Sequence, residues 1–154
     1  MPVLTVGPAA KGEPPYEVEF KNILFATDFG VGAEREAAYA FSLAQEHRSR
    51  LMILHVLPCP KECNEEAVAK QRQAFRTRMQ ELIPKISDVL CKVDFHVTFG
   101  SAVEEILAVG RETQADLIVM GARTRRGAAG HLPRTKAYRV VCGARCPVLT
   151  IRSR

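Results

Sequence analysis

The sequence has no tryptophan, no apolar run approaching the roughly 20 residues that cross a bilayer, and no acidic residue after Asp116. The second absence excludes a spanning helix. Residues 1–10 lack the charged start and apolar stretch of a secretory signal, so a cytoplasmic location is expected. Five cysteines, an odd number without an export signal, argue for reduced thiols rather than a disulfide framework. There is no C-x-x-C for thiol redox chemistry, no H-E-x-x-H for a metal and no G-x-S-x-G elbow for a hydrolase. Also missing are G-x-x-x-x-G-K-[ST] and G-x-G-x-x-G, so neither a P-loop nor the usual dinucleotide fingerprint is present.

What is present is an ordinary globular composition: 154 residues, 47% hydrophobic and 25% charged, sized for one domain with a real core. The net charge of +5 is unevenly spread. Nine Lys or Arg and no acid lie between Leu117 and Arg154, while the first 116 residues hold thirteen basic and seventeen acidic side chains. That asymmetry draws anions to one end: a phosphate ligand, a nucleic acid or an acidic partner. The bland alternative is a scatter of solvated surface charges.

Residues 1–20 hold four prolines and no periodic apolar pattern, and read as an extended or mobile arm before a domain over 21–154. Asn22–Thr27 (NILFAT), Leu51–Leu57 (LMILHVL), Asp116–Met120 (DLIVM) and Pro147–Ile151 (PVLTI) are short apolar runs suited to strands buried on both faces of a parallel sheet. Val93, Phe95, Val97 and Phe99 alternate with polar residues, as an edge strand does. Between these runs, Ala37, Ala40, Phe41 and Ala44 trace one helix, and Phe75, Met79, Leu82, Ile83, Ile86 and Leu90 a longer one that Pro84 kinks or divides. Ser101 with Glu104 forms a capping-box signature for a third helix, and Thr135 caps a fourth running to about Gly143. The alternation defines an α/β fold with a parallel sheet and helices on both faces. Ligands of such sheets bind beyond the carboxyl ends of the strands, where strand order reverses.

Two strand ends carry unusual chemistry. After the first comes Asp28, whose carboxylate can accept from an adenine amino group or a ribose hydroxyl, and can equally order the turn through Gly32. After the fourth comes GARTRRGAAGHLPRT, from Gly121 to Thr135, with three glycines, four arginines and a helix start. Glycines let backbone N–H groups approach an anion, arginines add charge-assisted hydrogen bonds, and a helix N-terminus contributes unpaired donors. A plain surface connection is the competing account of the loop.

The set NILFATDF (22–29), LHV (54–56), FGSAVEEIL (99–107), ADLIVMGARTRRG (115–127) and CPVLTIR (146–152) resembles the universal stress protein family over roughly residues 20–152. The resemblance implies a Rossmann-like single open sheet of five parallel strands in the order 3-2-1-4-5. It further implies a homodimer through the last strand (147–151), a bacterial stress-response role without catalysis, and in many members a pocket for ATP. The family's loop has the form G-x2-G-x9-G-[ST]. Counted from Gly121, its second glycine is Thr124 here, its third is Arg134, and only the hydroxyl of Thr135 is kept. Asp28, Val56 and Met120 match positions around adenine, and Gly121 and Thr135 match the ribose and phosphate side. The candidate binding residues are therefore Ala26, Thr27, Asp28, Val56, Met120, Gly121, Arg123, Thr124, Arg134 and Thr135. Arg134 either obstructs phosphates by overlap or swings out and pairs with them.

Two functions stay open at this point. One is a stress-response module holding ATP or a related adenine nucleotide, with Mg2+ when bound; the other is a member without nucleotide that contacts an acidic protein surface through its basic loop. Nucleic acid is disfavoured, because Tyr138 is the one aromatic residue of the basic region and gives a poor stacking platform. Cys59/Cys63 and Cys142/Cys146 are spaced C-x3-C, at the edge of zinc patterns, and no metal site is expected. His47, His55, His96 and His131 are scattered; His55, on a buried strand, reads as a satisfied core residue. No general base or metal cluster supports more than slow ATP hydrolysis.

Overall fold

Three of the apolar runs form the centre of one sheet. A computed structural model describes residues 1–10, 19–61, 64–84, 91–122 and 135–152. Its elements are β1 (Pro2–Thr5), β2 (Asn22–Ala26), α1 (Ala33–Glu46), β3 (Arg50–Leu57), α2 (Glu65–Glu81), β4 (Lys92–Phe99), α3 (Ala102–Glu112), β5 (Leu117–Ala122), α4 (Lys136–Gly143) and β6 (Val148–Arg152). Strands β2, β3 and β5 are largely apolar because helices cover both faces of the sheet. Ile23, Phe25, Ile53 and Val119 pack against Ala37, Ala40, Phe41 and Ala44 of α1 and Met79 of α2. Leu24, Leu54, Ile118 and Met120 point the other way, toward Val103 and Ile106 of α3 and Ala137 and Val140 of α4.

The sheet order is β1-β6-β5-β2-β3-β4. The five parallel strands keep the expected arrangement, but the sheet has six strands, not five. The added strand comes from the N-terminal arm: Pro2–Thr5 pairs antiparallel with β6, Pro2 against Ile151 and Thr5 against Val148, and Thr150 Oγ1 donates to Val3 O at 3.3 Å. Four residues beside prolines carry no strand periodicity, so this pairing comes from β6 and not from local preference. Gly7 then lies buried against α4, close enough to the Val141 carbonyl that no side chain fits between them. The β6 edge on which a last-strand dimer would form thus carries β1.

Asp116 fixes the starts of the central strands. Its Oδ2 accepts from the backbone N–H groups of Lys21 and Asn22, each at 2.9 Å, while its own N–H donates to Asn22 O at 2.8 Å. At the opposite edge, among the described residues, β4 pairs only with β3, as its alternation implied.

The helix boundaries differ at two places. Helix α2 begins at Glu65, ten residues before Phe75, because Asn64 Oδ1 caps it through the N–H groups of Glu66 and Ala67. It ends at Glu81, three residues before Pro84; Ile86 and Leu90, which would carry the expected helix past Pro84, lie outside the described residues. Ser101 sits at the start of α3, but its side chain makes no capping hydrogen bond. Thr135 does cap α4, its Oγ1 accepting from Tyr138 N at 3.2 Å. Among the described residues no helix is long and apolar enough to cross a membrane.

Candidate functional site

Strand order reverses between β2 and β5, the two strands that lie side by side at the centre with their carboxyl ends together. Ala26 is in register with Met120 on one side and Leu54 on the other. Since side chains alternate along a strand, Ala26, Val56 and Met120 share the face covered by α3 and α4. Helix α4 starts on this face at Thr135, so its first N–H groups belong to the same end of the molecule. Four of the expected residues, one apolar trio and one helix cap, are thereby gathered by the topology. Arg123, Thr124 and Arg134 lie outside the described residues.

The buried polar side chains Thr27, Glu36 and His55 lie on the other face, above α1, and Asp28 is exposed in the turn after β2. Thr27 is buried, its N–H donating to Leu54 O at 2.9 Å and its Oγ1 accepting from Phe29 N at 3.1 Å. Asp28 Oδ1 accepts from Gly30 N at 2.8 Å, which realises the turn-ordering role. Phe29 between them has φ 54°, a left-handed conformation that a bulky residue rarely adopts. Both flanking side chains brace it, and its ring is held in a cluster.

That cluster centres on His55. Its Nδ1 is 2.8 Å from Thr27 O; a carbonyl only accepts, so Nδ1 carries the proton. The imidazole stacks on Phe75 at 4.5 Å between centroids and meets Phe29 edge-on at 4.8 Å, while the Arg78 guanidinium lies 4.3 Å above Phe29. Burial lowers the His55 pKa below its ordinary 6.5, the Thr27 hydrogen bond opposes this, Arg78 lowers it further and Asp28 raises it. His55 is thus a neutral support for the Thr27–Phe29 turn, bonded as a core histidine must be.

Glu36 was missed from sequence. It is buried on α1, and a Cβ at Gly121 would lie 2.7 Å from its Cδ and 2.9 Å from its Oε2. A side chain at Gly121 would therefore require the Glu36 carboxylate to shift. The signal was available: Ala33, Glu36, Ala37, Ala40 and Ala44 all lie on the buried face of α1, so a charge sits inside an apolar stripe.

Among the described residues Cys59, Cys91, Cys142 and Cys146 are free thiols; burial raises the pKa of Cys91, and burial aided by Asp116 pushes Cys146 up to about 11. Thiols so shifted are poor nucleophiles near neutrality. Among the described residues, no three His, Cys, Asp or Glu side chains are grouped to hold a metal ion.

A five-stranded parallel α/β core, with an apolar trio and a helix cap at the point where strand order reverses, defines the class of open, doubly wound α/β folds. The chain belongs to the universal stress protein family, whose model matches residues 19–152. It is 35% identical over 144 residues to a Thermus aquaticus universal stress protein in the QAH/OAS sulfhydrylase 3′ region, covering 86% of this chain and 99% of that one. The fold is also that of the universal stress protein UspA from Lactobacillus plantarum, with TM-score 0.65, 21% identity, and 90% and 100% of the two chains covered. A universal stress protein solved in complex with cAMP has TM-score 0.65 at 16% identity, with 89% and 100% covered.

Proposed function

We propose that this universal stress protein binds ATP or a related adenine nucleotide at the carboxyl ends of β2 and β5 and acts in stress response without catalysis. The observation that carries the reading is the register of Ala26 with Met120, with Val56 on the same face and the capped start of α4 beside them. The trio offers an apolar seat for a purine. Asp28 supplies a carboxylate at its rim, and the α4 N-terminus supplies N–H donors for an anion. The described residues fit the adenine half of such a ligand; the arginines expected near its phosphates lie outside them. Mg2+ would enter with the phosphates and screen their charge from Asp28 and Glu36. The relative bound to cAMP supports a nucleotide on this fold, at an identity that carries the fold alone.

The test is calorimetric titration of nucleotide-stripped protein with ATP, with and without Mg2+, beside mass analysis of anything released on denaturing the unstripped protein. Saturable binding that weakens in Asp28→Ala is expected. Silence in both assays would overturn the reading and leave a module that works through protein contacts at its basic loop.

A further inference from the structure

The β4 edge of the sheet carries a recess that the nucleotide reading does not use. Helix α2 buries only Met79 of its seventeen residues, so its first half stands away from the sheet. Between it and β4 lies a cavity of about 560 Å³, lined from α2 by Val68, Arg72 and Arg76 and from β4 by every residue from Phe95 to Thr98. Successive side chains of a strand point to opposite faces, so a recess touching four consecutive residues follows the edge of the strand. Among the described residues that edge is unpaired: β4 has β3 as its one neighbour in the sheet.

Sheets guard such edges with charges, prolines or cover. From Phe95 to Phe99 the strand has neither proline nor a fixed charge. Lys92 and Asp94 stand at its start, where Asp94 is already bound to Arg50 at 2.6 Å. The helix above contributes cations instead. Arg72 lies 5.5 Å over the Phe99 ring and Arg76 5.9 Å over the Phe95 ring, and among the described residues neither has a carboxylate within ion-pair distance. Aromatic stacking fixes both guanidiniums at the rim while leaving their N–H donors for an anion. Glu65 is the single acid lining the recess.

We propose that this groove takes an acidic peptide segment in extended form, added as a further strand to the outer edge of β4, with its carboxylates paired to Arg72 and Arg76. The unpaired backbone supplies the ladder, Val68 and Val97 the apolar contact, and the two arginines the choice of an acidic partner. The rings of Phe95 and Phe99 are capped by the guanidiniums, which removes the open stacking faces a single-stranded nucleic acid uses.

The probe is a short fluorescein-labelled peptide of alternating valine and glutamate, followed by anisotropy with the full chain. Saturable binding is expected, about tenfold weaker in Arg72→Ala/Arg76→Ala and largely kept in Arg72→Lys/Arg76→Lys. With the unaltered protein, N-methylating the peptide at one set of alternate residues should abolish binding and at the other set should not, because a strand offers one edge to its neighbour. No saturable binding, equal binding by both methylated peptides, or tighter binding by an oligonucleotide of the same charge would each overturn the proposal. The methylated pair keeps the test decisive if an arginine variant fails to fold.

Discussion

Replacing Gly121 with alanine probes the packing that shapes the end of β5. The new Cβ would sit under 3 Å from the carboxyl carbon and both oxygens of Glu36. Glu36 is 5% exposed and is held on α1 beside Ala33, Ala37 and Ala40, so its carboxylate has little room to retreat. Overfilling a packed site costs about 1–3 kcal/mol, and Gly121→Ala should lower the unfolding free energy by that amount. Truncating the obstacle separates this cause from the intrinsic preference for alanine over glycine in a strand. In a Glu36→Ala background, Gly121→Ala should no longer destabilise and should gain about 0.5–1 kcal/mol. Urea unfolding of the wild type, both single variants and the double variant gives the four numbers. An equal cost of Gly121→Ala in both backgrounds would refute the contact as the reason for the glycine.

Other expectations follow from the neutral His55 and the docked arm. The folded-state pKa of His55 lies below 6.5, so above that pH the group is neutral folded or unfolded and contributes no pH dependence. As pH falls through 6.5 the unfolded chain takes up the proton first, and stability declines until the folded pKa is passed. Unfolding midpoints from about pH 7.5 to about pH 5.5 should therefore fall more in the wild type than in His55→Gln; parallel curves would show that the imidazole does not titrate as its surroundings require. Gly7→Ala places a Cβ 2.9 Å from the Val141 carbonyl carbon and closer still to its oxygen, and backbone cannot yield as a side chain can. It should free β1 from β6, seen as faster proteolysis of the first residues and, by light scattering after size exclusion, a larger share of dimer through the exposed β6 edge. Unchanged proteolysis would contradict the docking. Thr135→Ala should cost α4 about 1 kcal/mol through loss of the bond to Tyr138 N, read as a lower thermal midpoint.

The central strands were legible in the sequence because burial on both faces leaves few polar positions: NILFA, LMILHVL and LIVM admit few other readings. Strand β1 was not, since PVLT is held by hydrogen bonds to a partner 147 residues away rather than by its own pattern. The start of α2 was hidden for a related reason. A helix half that stands off the sheet needs no apolar face, and periodicity reports only faces that pack. The same stand-off creates the β4 groove, which no motif announces. At the strand ends, Asp28 and Thr135 were identifiable as capping and turn residues by type and place. Glu36 required the alternation of α1 to be read for its exception.

The proposed binding of an adenine nucleotide at the switch point is tested most directly by a map of backbone amide shifts on adding ATP and Mg2+ to labelled protein. Shifts concentrated at Ala26 to Asp28, Val56, Met120, Gly121 and Thr135 are the predicted result. Saturating ATP without shifts at those residues, or with shifts confined to α2 and β4, would contradict it.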